Sequence, residues 1–145
     1  MESTATTGQY VIGIGSERGT PLEVVGQGIM QCLDQYDIEM GNVACIASVH
    51  MKAHDPAFKA FARIHEVPLI TCNTQEMKAA RLKAGCGARQ PWFTQDEVSR
   101  LSALYFSGAS QLMYPPFYFF IGHNHHRITV SVCKVLRYIP IKQPA

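Results

Sequence analysis

The chain has 145 residues, of which 47% are hydrophobic and 17% charged, and its formal net charge is +2. This length fits one domain with a continuous core, so folding requires neither disulfides nor a structural metal. The weak positive charge argues against nucleic-acid binding by bulk electrostatics, and the most apolar stretch is too short to span a membrane. Five scattered cysteines without a C-x-x-C pair indicate buried thiols in a reducing compartment, so a cytoplasmic protein is expected.

Three parts of the chain are expected from its residue content. Residues 1–9 are small and polar and lack the basic start and apolar stretch of a signal peptide, so they are predicted to be a flexible N-terminus. A single folded domain is expected over residues 10–137. Residues 138–145 are predicted to be a loose tail.

The first predicted strand and helix flank a glycine-rich loop. Residues 10–14 are apolar and rich in β-branched side chains, which predicts a buried strand. Thr20, followed by Pro21 and Glu23, is typical of a helix start in which the threonine is the cap and the glutamate completes a capping box. One apolar face is expected on this helix, formed by Leu22, Val25, Ile29, Leu33 and Tyr36.

A second strand and helix follow the first pair. Residues 43–49 are a continuous apolar run, which predicts another buried strand. Asp55 and Pro56 then form a typical helix start, because an aspartate caps well and proline suits the first turn. The inward face of this helix is expected to hold Phe58, Phe61 and either Ile64 or His65.

The third pair completes a repeated alternation of strand and helix. Residues 68–72 predict a short strand, and the next helix is capped either by Asn73 with Glu76 or by Thr74 alone. Gly85 is expected to end this helix. Strands that alternate with helices need right-handed crossovers, so these three strands predict a parallel sheet core.

The pattern changes after the third helix. Residues 85–92 predict a loop, and Thr94 with Glu97 predicts the capped start of a fourth helix. Residues 117–121 and 127–134 predict two strands joined by a short turn, which requires antiparallel pairing. The predicted fold is α/β, a three-layer α/β/α arrangement with a mixed, mainly parallel sheet of about five strands and a C-terminal antiparallel hairpin.

The loop after the first strand is the first candidate site. It lies between a strand and a helix start, where backbone N–H groups and the helix dipole favour an anion, and Arg18 adds a guanidinium suited to carboxylate or phosphate. Two alternatives remain open: a variant dinucleotide loop whose third glycine comes one residue late, and a turn whose glycines serve backbone geometry alone. The predicted ligand-binding residues are Gly13, Gly15, Ser16, Arg18, Gly19 and Thr20, together with Lys52 of the next site.

A second candidate site follows the second strand. Ligands of open parallel sheets bind outside the carboxyl ends of the strands, so Lys52 is expected near the glycine loop at the same edge. The alternative is a solvated lysine beside an aspartate, Asp55, that serves only as a helix cap. Catalytic residues are unknown, since the sequence contains no recognisable nucleophile motif; if the protein is an enzyme, Lys52 or His50 is the candidate acid–base group.

A cluster of histidines is a possible metal site. His123, His125 and His126 fall in the turn between the last two strands, and imidazole binds zinc, cobalt, nickel and copper. Polar residues also collect in turns without any metal, and no further ligands stand at metal-binding spacing. The expectation is therefore that the protein holds no metal and no cofactor.

These residues resemble the CobE / CbiG C-terminal family of cobalamin biosynthesis. The similarity covers residues 10–84, where the strand and glycine loop are followed in order by Arg18-Gly19-Thr20, Ser48, Lys52, Asp55-Pro56 and Val67-Pro68-Leu69. It continues more weakly over residues 122–133, which include a family-like final strand. Ser16 and Glu17 depart from the family, which often has a cysteine and a basic residue there, and residues 85–121 show little of its pattern.

The resemblance implies a protein of cobalamin biosynthesis that binds a corrin or precorrin intermediate. Such intermediates are flat and carry many carboxylates, which suits an anion-binding rim that includes Arg18 and Lys52. Two alternatives stay open: a hydrolase that opens a precorrin lactone, and a histidine-based metal-binding protein. Other cobalamin-pathway enzymes are possible partners, whereas no nucleic acid and no membrane is expected to bind.

Overall fold

The computed structural model describes residues 8–85, 91–121 and 126–136. Its strands are β1 (Tyr10–Ser16), β2 (Val43–Val49), β3 (Leu69–Cys72), β4 (Phe117–Ile121) and β5 (His126–Lys134). Its helices are α1 (Leu22–Gln35), α2 (Pro56–His65), α3 (Thr74–Lys83) and α4 (Gln95–Ser107). Each predicted strand and helix is present. The predicted loop 85–92 lies largely outside the described residues.

The five strands form one mixed sheet in the order β3-β2-β1-β5-β4. β1 pairs in parallel with β2, and β2 pairs in parallel with β3. β5 runs antiparallel to both of its neighbours, β1 and β4. Four strands therefore run in one direction and only β5 opposes them, which confirms the predicted mixed sheet and the predicted antiparallel pair at its C-terminal end.

Helices cover both faces of this sheet, which confirms the three-layer α/β/α arrangement. On one face, α1 and α2 bury Val25, Ile29 and Phe58 against alternate residues of the strands. On the other face, α3 and α4 bury Met77 and Leu101 against the intervening residues. None of the helices within the described ranges is long and apolar enough to cross a membrane.

Two glycines of β1 let α4 approach the sheet closely. A Cβ atom at Gly13 would collide with the carbonyl of Ser99, and a Cβ atom at Gly15 would collide with the carbonyl of Gln95. Both colliding groups belong to the backbone of α4, so no side-chain rotation could relieve the contact. The packing of the helix therefore requires glycine at these two positions, independently of any ligand.

The face of β5 under α4 is partly polar, as its alternating sequence predicts, and it is buried. Thr129 and Ser131 lie beneath α4, where the hydroxyl of Ser131 is 2.9 Å from that of Ser99. The buried polar atoms thus find partners on the helix, which avoids the cost of an unsatisfied hydroxyl.

A buried ion pair joins α3 to the start of α4. The Arg81 guanidinium donates to both carboxylate oxygens of Glu97 at 3.1 Å, and also to the carbonyl of Trp92 at 2.9 Å. Glu97 accepts from the backbone N–H of Thr94 as well, so it completes the predicted capping box of α4. One carboxylate therefore fixes both the helix start and the helix–helix contact.

Helix caps and inward faces match the predictions with two exceptions. Asp55 caps α2, and Asn73 with Glu76 caps α3. The prediction that Thr20 caps α1 is wrong, because Pro21 occupies the cap position and the threonine side chain bonds within the preceding loop. The other exception concerns a helix face, because Leu22 of α1 is exposed. On α2 the alternative with His65 is confirmed: His65 packs on the ring of Phe61, whereas Ile64 is exposed.

The cysteines of the described residues are free thiols in the core, as predicted. Burial raises the pKa of Cys32, Cys45 and Cys72 to about 12 and that of Cys133 to about 11, because a thiolate loses its hydration there. The neutral thiols behave as small apolar side chains. Cys86 lies outside the described residues.

Candidate functional site

A cleft opens at the edge of the sheet where β1 and β2 end. Its volume is about 690 Å³. One wall is the loop after β1 with the start of α1, and the other is the segment that joins β2 to α2. The lining residues on the first wall are Ser16, Arg18, Gly19, Thr20, Pro21 and Leu22, and those on the second are Met51, Lys52, His54, Asp55, Pro56 and Ala57.

Lys52 links the two walls of the cleft. The residue is 8% exposed, and its ammonium group donates to the carbonyl of Glu17 at 3.4 Å. The same group lies 3.6 Å from the Asp55 carboxylate and 5.3 Å from the centre of the Phe58 ring. The prediction that Lys52 lies beside the glycine loop is confirmed, and the hydrogen bond to Glu17 shows that the lysine also helps to hold that loop in place.

The loop itself is organised around the carbonyl of Glu17. Thr20 is buried and donates to this carbonyl from its hydroxyl at 2.8 Å and from its backbone N–H at 3.3 Å. Gly19 adopts φ +82° with open space where a side chain would be. This left-handed conformation favours glycine, so the sequence Gly19-Thr20 is explained by the turn itself.

The two helix starts beside the cleft differ in their free hydrogen-bond donors. At α2, a carboxylate oxygen of Asp55 accepts from the N–H groups of Ala57 and Phe58. At α1, the cap residue is Pro21, and no side chain accepts from the first turn. Among the described residues, the N–H groups of Leu22 and Glu23 have no hydrogen-bond partner. The start of α1 therefore keeps donors and a positive dipole end available to an anion.

Arg18 is the exposed cation of the cleft. It makes no hydrogen bond or ion pair with the rest of the described chain. Its guanidinium is therefore available to a carboxylate or phosphate. Lys52 and Asp55 balance each other on the second wall of the cleft, so Arg18 and the helix start supply its remaining positive charge.

Five of the seven predicted ligand-binding residues line the cleft and two do not. Ser16, Arg18, Gly19, Thr20 and Lys52 are in its walls. Gly13 and Gly15 are buried inside β1, where their packing role against α4 explains them. Ligand binding by these residues stays a prediction.

Sequence reasoning treated Asp55 as a helix cap alone and missed its ion pair with Lys52. The signal was present, because a lysine and an aspartate three residues apart are within reach of each other in a helical turn. The apolar rim was also missed. Met51 is 73% exposed at this rim, and Leu22 and Pro56 accompany it. The cleft is thus cationic at its centre and apolar at its edge.

The histidines are spread over different parts of the structure. His54 lines the cleft, whereas His50 is exposed and absent from its walls. His126 begins β5, and His123 and His125 lie outside the described residues. Within the described parts of the chain, no group of three or more histidine, cysteine or acidic side chains could hold a metal ion. The histidine turn lies mostly outside the described residues, so metal binding there stays an alternative.

Comparison with known proteins relates the chain to cobalamin biosynthesis. Residues 10–133 match the protein family described as Cobalamin synthesis G C-terminus. A comparison with curated proteins gives no match.

Among solved structures, the fold is similar to that of cobalamin biosynthesis protein chiG from Agrobacterium tumefaciens, with 17% identity, a TM-score of 0.62, and coverage of 85% of this chain and 95% of that one. It is also similar to CobE, a protein from the cobalamin (vitamin B12) biosynthetic pathway, with 16% identity, a TM-score of 0.61, and coverage of 89% and 95%. A cobalamin biosynthesis protein G homolog from Sulfolobus solfataricus shares 20% identity at a TM-score of 0.62; the similarity covers 88% of this chain but 37% of that one. At these identities the likeness establishes a shared fold.

Proposed function

The chain belongs to the Cobalamin synthesis G C-terminus family, and from this premise we propose that it binds a carboxylate-rich corrin or precorrin intermediate in the cleft between β1 and β2. Membership of the family supports a part in cobalamin biosynthesis. The observation that carries the binding proposal is the pairing of the exposed Arg18 with the unoccupied N–H donors at the start of α1, in a cleft of about 690 Å³.

The chemistry of the cleft suits such a ligand on two counts. A peripheral carboxylate of a corrin can accept from the Arg18 guanidinium and from the N–H of Leu22, and hydrogen bonds to charged groups are the strongest of their kind. The apolar rim with Met51 can contact the flat face of the macrocycle. We expect the carboxylate-bearing edge of the ring to enter the cleft and its face to rest on the rim.

An absorbance titration tests the proposal directly, because corrins absorb visible light. The ligands are a corrin with free peripheral carboxylates and its fully amidated counterpart. We expect saturable binding of the first and binding at least about tenfold weaker for the second, which corresponds to roughly 1.4 kcal/mol for one charged contact. Equal affinity for both corrins would contradict an anion-binding site.

Three variants locate the site. Arg18→Ala removes an exposed side chain that has no partner in the described part of the chain, and it is expected to weaken binding about tenfold or more without changing the melting temperature. Lys52→Met keeps the buried stem but loses the contacts with Glu17 and Asp55, so it is expected to weaken both binding and the loop. Lys59→Ala is the matched control, because this exposed lysine of α2 is outside the cleft.

The same mixtures distinguish binding from catalysis. If the protein is a lactone-opening hydrolase, a small product accumulates with time; Lys52→Met slows its release if Lys52 is the acid–base group, and His50→Gln does so if His50 is. If the corrin is recovered unchanged, the protein binds or presents the intermediate, and other enzymes of the pathway are the partners to test.

A further inference from the structure

β4 is an edge strand without the usual protection against pairing. In the described chain it pairs only with β5, so its outer row of backbone N–H and C=O groups has no partner. Its five residues, Phe117–Ile121, include no charge and no proline, and its register with β5 is regular. Natural edge strands usually carry lysine, proline or a bulge that prevents pairing with another chain.

The exposed face of this strand is aromatic. Tyr118 and Phe120 point to the α4 side of the sheet and are 51% and 66% exposed. Large aromatic side chains at a surface are enriched in interfaces between proteins. The strand therefore combines free backbone groups with apolar side chains on the same edge.

This edge is held in a fixed conformation. The hydroxyl of Tyr118 donates to Asp96 of α4 at 2.8 Å. The chain that enters β4 is fixed by Tyr114, whose ring stacks on Tyr36 at 3.9 Å between centroids, and by the Tyr36 hydroxyl, which donates to the carbonyl of Pro115. An edge that is already ordered loses little conformational entropy when it pairs, which favours association.

We propose that β4 pairs with β4 of a second copy of this chain, in antiparallel orientation about a two-fold axis. A register with Phe119 opposite its own counterpart sets Tyr118 of each copy opposite Phe120 of the other. The two five-stranded sheets then continue into one another, and the four exposed aromatic rings form cross-strand pairs on the α4 side.

Charge complementarity favours a second copy as the partner. Arg127 is the β5 neighbour of Phe120, whereas Asp96 lies over the neighbouring Tyr118 and Thr129. In the proposed dimer, Thr129 and Tyr118 of one copy therefore form one cross-strand row with Phe120 and Arg127 of the other copy. Asp96 of the first copy lies over this row. Tyr118 of one copy and Arg127 of the other are two strand spacings apart in this row, about 10 Å, a distance that the long arginine side chain can bridge. The same surface thus supplies both members of an opposite-charge pair.

The test uses the full chain and two variants that introduce opposite charges at one exposed position, Phe120. Sedimentation equilibrium is expected to show a reversible dimer at concentrations up to about 100 μM, where a dimer with a micromolar Kd is largely formed. Phe120→Lys and Phe120→Glu each remove two aromatic rings per dimer and set like charges on diagonal positions across the axis. We expect each variant alone to dimerise about 100-fold more weakly.

Mixing the two variants gives the decisive result. A heterodimer of Phe120→Lys with Phe120→Glu sets opposite charges on the same diagonal, so association is expected to recover by at least about tenfold relative to either variant alone. Leu82→Lys, at an 80% exposed leucine of α3, is the matched control and is expected to leave the dimer unchanged. A monomeric wild-type chain over the whole range would overturn the proposal, as would variants that dimerise as well as the wild type. Loss of the dimer without recovery in the mixture would overturn the antiparallel two-fold pairing.

Discussion

Gly13→Ala is expected to destabilise the domain strongly, although it adds a single methyl group. The new Cβ would overlap the carbonyl oxygen of Ser99, and it would lie 2.9 Å from the carbonyl carbon of the same residue and 3.0 Å from the Cβ of Ala103. All three atoms belong to α4, and two are backbone, so the helix as a whole must move away from β1. Overpacking in a tight core costs about 1–3 kcal/mol, and we expect the upper end of that range here because no rotamer relieves the contact.

Urea unfolding, followed by circular dichroism, measures this loss and separates it from ordinary effects of replacing glycine. Gly41→Ala is the matched control, because the added Cβ meets nothing within 4 Å; its unfolding free energy is expected to stay equal or rise by up to about 1 kcal/mol. Gly19→Ala is expected to lose about 1 kcal/mol, because alanine is strained at φ +82° although the space is open.

The order of the unfolding free energies of these three variants shows whether Gly13 is needed for the packing of α4. If Gly13→Ala is as stable as the wild type, the packing of α4 does not require glycine at this position, and ligand binding becomes the favoured explanation for it. A loss of about 3 kcal/mol corresponds to a fall in melting temperature of roughly 10 °C, which is easily measured.

Two further predictions concern buried charge. Glu97→Gln is expected to lower the unfolding free energy by about 3 kcal/mol, because the buried Arg81 guanidinium loses its carboxylate. Asp34→Asn, on the exposed side of α1, is the control and is expected to change it by less than about 0.5 kcal/mol. Equal urea midpoints for the two variants would contradict the role of the Arg81–Glu97 pair. The raised thiol pKa values predict that stability is full below pH 9, the unfolded value, and falls as pH rises towards 11–12, because the unfolded chain then releases protons that the folded core retains. Between pH 8 and 10 each of the four thiols contributes a loss of up to about 1.4 kcal/mol, and a flat profile from urea titrations across this range would show that the thiols ionise freely in the folded state.

The sequence predicts the elements of this fold well because their signals are local. The capping boxes at Asn73 and Thr94 and the Asp55-Pro56 start fix three helix starts within a few residues. The apolar runs fix the strands, and alternation with helices fixes the parallel part of the sheet. The position of Lys52 beside the glycine loop also follows from sequence, since the carboxyl ends of neighbouring parallel strands lie at one edge.

The roles of individual residues were harder to predict because they depend on what packs from a distance. A glycine in a strand looks the same whether a ligand or a helix approaches it, and only the position of α4 shows that Gly13 and Gly15 accommodate a helix. Thr20 has the composition of a cap, yet the carbonyl of Glu17 is a closer partner for its hydroxyl. The ion pair of Lys52 with Asp55 likewise depends on side-chain direction, which spacing alone does not determine.

The pairing of β1 with β5 has a consequence for how the domain is made. These strands join residues 10–16 to residues 128–134, so the centre of the sheet is closed by the first and last strands of the domain. A ribosome delivers β1, β2 and β3 long before β5, and until then β1 is an open edge of the sheet. Long-range pairing of this kind slows folding and prolongs exposure to aggregation. We therefore expect the nascent chain to bind chaperones until residues 126–134 have emerged, and folding to be completed only after synthesis has passed β5.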